Sequence, residues 1–79
     1  MTNRKIYSIV APLPGKIVNI KVQVESKVKI NEPVLILEAM KMENEIVTDS
    51  DGVVKEIKVK IGDFVNTGEE LVVIENAIE

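Results

Sequence analysis

The chain has 79 residues, which is enough for one small domain and too few for two. It contains neither Cys nor His, which excludes disulfides, thiolate and imidazole metal sites, and histidine-based catalysis. A net charge of -3, with one Phe, one Tyr and no Trp, provides neither a basic surface nor a stacking platform for nucleic acid. The longest apolar runs, such as 34–37, have four residues, too short for a membrane span or a signal-peptide core. We therefore expect a soluble cytoplasmic domain that binds no metal, does not insert into a membrane and is not itself an enzyme.

The apolar residues are mostly β-branched, with 13 Val and 11 Ile against 4 Leu. Such residues lose rotamer freedom in helices and pack well on pleated sheets. Apolar and polar residues alternate with a period of two, as in Ile20, Val22 and Val24, and no segment has a helical apolar stripe. These patterns predict an all-β domain without helices.

Strands and turns follow one another regularly along the chain. In chain order we predict strands over 6–10, 16–24, 34–39, 43–48, 53–61 and 71–76, with two short strands near 28–30 and 64–66. The turns between them contain Pro12, Pro14 and Gly15, then 31–33, 49–52 and 62–68. Asp49 and Asp51 lack the further acidic ligands of a calcium loop, so we interpret them as turn residues. The domain is expected to cover 6–76, with tails at 1–5 and 77–79.

The two halves of the chain are similar when Gly15 is placed on Gly52, an offset of 37 residues. Ile20 then falls on Ile57 and Val22 on Val59, and further matches extend to Glu38 and Glu75. Two such halves predict a pseudo-two-fold structure in which each half covers the apolar face of the other. Matching residues of the two halves should occupy matching buried positions.

Two substitutions interrupt this repeat in the first half. Asn31 stands where the second half has Gly68, and Asn tolerates positive φ better than most residues, so we expect positive φ there. Glu25 stands where the second half has Gly62 and is a less favourable replacement. The geometry of the first-half turn therefore does not follow from the repeat.

One segment, 38–43, is not explained by the repeat. Its Lys41 is one of nine lysines, any of which is ordinarily a solvated side chain. Lys41, however, lies between two predicted strands and is flanked by Met40 and Met42, the only methionines besides the initiator. Methionine usually fills gaps in a core, but a pair on either side of a charged residue is badly placed for that role. We interpret the segment as an exposed recognition patch around one lysine.

Three motifs resemble one known family. Glu38-Ala39-Met40-Lys41-Met42 resembles the biotin attachment signature of biotin carboxyl carrier proteins. The segment 11–15, Ala-Pro-Leu-Pro-Gly, is similar to the family's upstream Ala-Pro-Met-Pro-Gly, and 62–68 is similar to its Gly-Asp-x-Val-x-x-Gly turn. The similarity runs from about 9 to 75, with the motifs in the family's order.

The resemblance implies a flattened β-barrel of two four-stranded antiparallel sheets related by a pseudo-two-fold, with the modified lysine at a hairpin tip. It implies that biotin protein ligase attaches biotin to Lys41, with Met40, Met42, Ala39 and Glu38 as the recognition motif. It further implies that a biotin carboxylase loads a carboxyl group onto biotin and that a carboxyltransferase or decarboxylase removes it.

Two other functions share this architecture. A lipoyl domain has the same fold and hairpin lysine, but its signature places Asp before the lysine and Ala after it, unlike Met40 and Met42. An unmodified lipoyl-like interaction module should lack the Met-Lys-Met tip. The mass of the protein from its native host distinguishes the three, because biotin, lipoate and no adduct give different values.

Overall fold

A computed structural model describes the backbone of residues 3–78 and the side chains of residues 4–76. The described residues form eight strands and no helix: β1 (Asn3–Val10), β2 (Gly15–Ile20), β3 (Lys27–Val28), β4 (Pro33–Ala39), β5 (Met42–Val47), β6 (Gly52–Ile57), β7 (Phe64–Val65) and β8 (Glu70–Ile78). They make two four-stranded sheets, ordered β1-β8-β6-β3 and β5-β4-β2-β7, with every neighbouring pair antiparallel. The predicted all-β architecture is confirmed. No helix capable of crossing a membrane occurs between residues 3 and 78.

The pseudo-two-fold is also confirmed, because the strands repeat with the offset of 37 residues. The bounds of β2 match those of β6, the bounds of β3 match those of β7, and β4 and β8 begin at the matching residues Pro33 and Glu70. The rotation exchanges the two sheets, and β1 takes the place of β5.

Burial follows the same symmetry residue by residue. Among residues 4–76, all but one of the buried side chains form pairs at this offset, and the unpaired one is Ala39. The pairs are Ile9 with Ile46, Ala11 with Thr48, Ile17 with Val54, Val22 with Val59, Val28 with Val65, Val34 with Leu71, Leu35 with Val72 and Leu37 with Ile74. Each sheet therefore contributes one inward face to a single shared core, as in other two-layer β structures.

The predicted strands 16–24 and 53–61 are too long, because β2 ends at Ile20 and β6 at Ile57. Beyond these ends the chain leaves the sheet but still turns alternate side chains inward, so Val22 and Val59 are buried without being in a strand. Alternation records which side chains face the core and not which backbone groups pair. Ile20 and Ile57 do match, but they are only partly buried, contrary to expectation.

In the described residues, strand pairing extends into the segments 1–5 and 77–79 that were expected to be tails. β1 pairs with β8 from Asn3↔Ile78 inward, so 3–5 and 77–78 belong to the sheet. Arg4 and Lys5 are exposed, and the pairing is made by backbone groups that leave no apolar pattern in the sequence. Residues 1–2 and 79 lie outside the described part of the chain.

The turns after β2 and β6 share one geometry despite the exchange of glycine for larger residues. Asn31 has a φ of 73° against 86° for Gly68, which confirms its predicted positive φ, and Glu25 has 77° against 100° for Gly62. The backbone N–H of Glu25 donates to Val54 O, and that of Gly62 donates to the matching Ile17 O. The first-half turn therefore keeps the repeat geometry, held by its backbone hydrogen bonds.

Side-chain hydrogen bonds stabilise the turn after β5 and the start of β8. The hydroxyl of buried Thr48 donates to Ser50 O (2.7 Å) and accepts from Ser50 N (3.1 Å), while the Asp51 carboxylate accepts from Ile30 N (2.7 Å). At the start of β8 the Ser8 hydroxyl donates to the Glu70 carboxylate, and Lys58 pairs with it, which together hold the pKa of Glu70 below its usual range. This last cluster is exposed, so its contribution to stability is small.

The partial burial of Ile57 predicts unequal costs for the same truncation at two sites. Ile17→Ala removes a side chain with no exposed surface and should lower the free energy of unfolding by about 2–5 kcal/mol. Ile57→Ala should cost about half of that or less, because its neighbours already leave part of it in water. Urea denaturation measures both, and an equal loss at the two positions would contradict the burial described here.

The positive φ of Asn31 predicts that glycine is tolerated there and valine is not. Asn31→Gly should change the free energy of unfolding by less than about 1 kcal/mol, since glycine adopts this φ freely. Asn31→Val should lower it by about 1–3 kcal/mol because of β-branched strain. Lys29→Val, at an exposed position in the same loop, is the control for added apolar surface. Equal midpoints for the Val variants would show that backbone strain is not the cause.

Candidate functional site

The hairpin between β4 and β5 places Lys41 at its tip. Ala39 pairs with Met42, which leaves Met40 and Lys41 as the two central residues of the turn. Both have positive φ, 54° and 65°. Two-residue hairpins require positive φ at both centres in the type I′ turn, where Asn and Gly are the usual residues. Here two long side chains occupy positions that glycine would adopt without strain, at a cost of order 1–3 kcal/mol each.

The flanking methionines point away from the core. Met40 is 89% exposed and Met42 is 66% exposed, and Lys41 and Glu38 are exposed as well. The two methionines therefore splay around the turn and do not fill gaps in the core. No described residue forms an ion pair with Lys41, so its amine is presented to solvent.

Ala39 is the part of the segment that anchors the hairpin. It is 6% exposed and is the single buried residue with no buried counterpart in the other half of the described core. A Cβ placed on Gly15 would lie 3.2 Å from the Ala39 Cβ and would collide with the backbone carbonyl of Glu38. Strands β2 and β4 can approach this closely only because Gly15 has no side chain and Ala39 has a small one.

Asn44 braces the hairpin from within β5. Its side-chain amide donates to Leu37 O (3.3 Å) and Met42 O (3.2 Å), joining the two strands directly below the turn. Sequence analysis missed this residue. The only signal was an Asn within a predicted strand, where that residue type is uncommon.

The tertiary structure brings the three sequence motifs together at the lysine end of the barrel. Strand β2 pairs with β4 on one side, Lys16↔Glu38, and with β7 on the other, Lys16↔Phe64. A groove of about 530 Å³ lies across these strands. Residues of all three motifs line it, together with Lys16: Pro14, Gly15, Glu38, Ala39, Met40, Lys41 and Phe64.

Phe64 is a site residue that sequence analysis did not single out. It is 78% exposed, and the ammonium of Lys16 lies 5.9 Å from the centre of its ring, within the range of a cation–π contact. Its position next to Val65 in a two-residue strand gave no indication that it would face the lysine hairpin. Only the pairing of β7 with β2 establishes this proximity.

Opposite ends of the molecule carry the hairpin and the chain ends. The pseudo-two-fold relates the turn at Met40 and Lys41 to the paired residues Asn3 and Ile78. The turn and this pair lie on opposite sides of the symmetry axis, in a molecule 46 Å long. Among the described residues, the lysine tip and the pair Asn3↔Ile78 therefore occupy symmetry-related positions.

Comparisons with known proteins point to one family. The family model described as "Biotin-requiring enzyme" matches residues 7–74. A biotin carboxyl carrier protein of Streptococcus mutans is 50% identical over 64 residues, 81% of this chain and 49% of that protein. A biotin/lipoyl attachment protein of Bacillus subtilis is 40% identical over 67 residues, 85% of this chain and 92% of that protein.

A solved structure agrees in fold. The urea carboxylase of Kluyveromyces lactis superimposes with a TM-score of 0.85 and 28% identity, over 89% of this chain and 6% of that chain. The chain thus spans about half of the carrier protein and a small part of the carboxylase. Since the family model covers nearly the whole barrel, this chain belongs to the biotin/lipoyl attachment family.

Proposed function

We propose that Lys41 carries biotin as a side-chain amide and that the domain transfers a carboxyl group between two enzyme partners. The observation that carries the proposal is the geometry of the hairpin tip. Two non-glycine residues there, Met40 and Lys41, have positive φ, and a primary amine is exposed between two methionines. Strain of this kind, at residues whose side chains lie outside the core, favours a role in recognition and not in stability.

Attachment requires an enzyme that activates both reactants. The Nζ of Lys41 attacks an activated carboxyl group of biotin, an N–C bond forms, the leaving group departs with its electron pair, and the amine loses a proton. No described residue forms an ion pair with the amine of Lys41. A biotin protein ligase is therefore the partner that supplies the activated carboxyl and the base.

The domain's own contribution to catalysis is presentation. When bound, biotin supplies a ureido ring that accepts and releases a carboxyl group. Lys41 provides a long unbranched stem, and the Ala39 and Asn44 contacts hold the base of that stem fixed. A rigid protruding tip enters one active site after another at little entropic cost. We assign the partners as a biotin carboxylase and a carboxyltransferase or decarboxylase, in the cytoplasm.

The hairpin motif, with Glu38 and Ala39 before Met40, is proposed as the element that the ligase recognises. Lipoyl domains present a lysine on a similar hairpin, so backbone shape alone does not separate the two modifications. A ligase pocket shaped for two long apolar side chains loses contact area against Ala and must desolvate an Asp, which is unfavourable without a partner.

Lys41→Arg should abolish biotinylation, because arginine keeps the charge but loses the nucleophilic amine. The variant is co-expressed with a biotin ligase, and the adduct is measured by intact mass and streptavidin blot. Lys27→Arg, an exposed lysine on β3, is the matched control and should be fully biotinylated. Biotin on the Lys41→Arg protein would show that another lysine is the acceptor.

Met40→Asp combined with Met42→Ala should reduce biotinylation and allow some modification by a lipoate ligase. The fold should be unaffected, since both side chains are largely in water. The double variant is offered to each ligase with its own cofactor, and intact mass identifies the adduct, with thermal denaturation as the control for folding. Biotinylation at the parental rate without lipoylation would place the specificity elsewhere in the fold.

A further inference from the structure

The apolar side chains at the lysine end of the barrel are more exposed than any others in the described residues. Met40 is 89% exposed, Phe64 78% and Met42 66%, whereas the remaining exposed aliphatic side chains range from 41% to 63%. An aromatic ring held this far into water contributes little to folding. Its position beside Lys41 needs an explanation that the core does not provide.

The pseudo-two-fold offers an internal comparison. At the opposite end of the barrel, Lys27 stands at the position of Phe64, and Val53 stands at the position of Lys16. The bounds of β3 match those of β7 and the bounds of β6 match those of β2, so neither strand geometry nor core packing requires an aromatic ring at position 64. The Phe64–Lys16 pair is specific to the end that carries Lys41.

The groove lies within reach of a biotinylated lysine. Two strand spacings separate β4 from β7, which is about 10 Å across the sheet. Roughly eleven covalent bonds join the lysine Cα to the ring of biotin, and at the extension of a polypeptide backbone they span about 12 Å. Lys41 itself lines the groove, so the arm begins at one end of it and Phe64 stands at the other.

We propose that, once Lys41 is biotinylated, this groove is a resting site for the bicyclic head of biotin. The inference rests on the proposed function and adds a site to it. The Phe64 ring and the Met40 side chain offer apolar surface to the sulfur-containing ring. Glu38 offers an acceptor for the ureido N–H groups, and the Lys16 ammonium offers a donor to the ureido carbonyl. Both charges are exposed, so binding is weak and reversible, as a carrier requires.

The resting site is tested on the whole chain by NMR, comparing the unmodified and the fully biotinylated protein. We expect the Phe64 ring protons and the amides of Gly15 and Lys16 to shift on biotinylation, with contacts between the Phe64 ring and the biotin head. In biotinylated Phe64→Ala these amide shifts should be lost. Ile61→Ala, which removes an exposed apolar side chain outside the groove, is the matched control and should keep them.

A second readout is the rate of capture by streptavidin. If the head occupies the groove half of the time, Phe64→Ala should raise the capture rate about twofold, and higher occupancy should give a larger increase. The Ile61→Ala control should be captured at the parental rate. Equal rates for all three proteins, together with unchanged groove signals on biotinylation, would overturn the resting site.

Intact mass separates failure of this inference from failure of the proposed function. A protein without biotin on Lys41 contradicts the proposed function. A protein with biotin on Lys41 but no change at Phe64 or Gly15 contradicts the resting site alone. If biotinylation shifts none of the groove signals and Phe64→Ala instead slows biotinylation, the groove binds the ligase and the resting site is refuted.

Discussion

Each half of this chain folds into strands with one apolar face that it cannot bury alone, and the structure depends on the two halves covering each other. The buried residues show how complete this arrangement is, because nearly every core side chain has a counterpart 37 residues away at a similar depth. Hydrophobic burial of this kind is non-directional, but the pseudo-two-fold makes it specific. A larger side chain on one sheet must fit the space left by the side chains of the other sheet. The core therefore constrains both halves at once.

The candidate site lies where the symmetry is broken. The hairpin at Met40 and Lys41 occupies the place taken in the other half by the pair Asn3↔Ile78, and Ala39 is the one buried residue among 4–76 without a buried counterpart. Phe64 differs in the same way from Lys27. A symmetric barrel offers two equivalent ends, and the exposed residues that differ between them, such as Met40 and Phe64, are free of the demands of the shared core. In the proposed function, these exposed residues are the ones that a ligase or an enzyme partner contacts.

The strained turn and its supports form one mechanical unit. Positive φ at two non-glycine residues is unfavourable, and the Ala39↔Met42 pairing, the Asn44 amide and the close contact of Ala39 with Gly15 hold it in place. This arrangement keeps flexibility out of the backbone and leaves it in the lysine side chain. A carrier benefits from such a division, since the arm must move while its base stays recognisable to every partner.

Much of this protein could be predicted from its sequence, because the relevant physics is local. Period-two alternation and β-branched composition determined an all-β fold, the offset repeat determined the pseudo-two-fold, and the Gly68 equivalence determined positive φ at Asn31. The Met-Lys-Met segment stood out because it fitted neither pattern. The same patterns overestimated the lengths of β2 and β6 and did not predict the pairing of 3–5 with 77–78. The reason is that alternation reports the direction of side chains and not the pairing of backbone groups. Only the tertiary structure decided that residues 15, 39 and 64 meet at one end of the barrel. Their proximity depends on the order β5-β4-β2-β7, which is set by packing between segments distant in sequence and leaves no mark on the segments themselves.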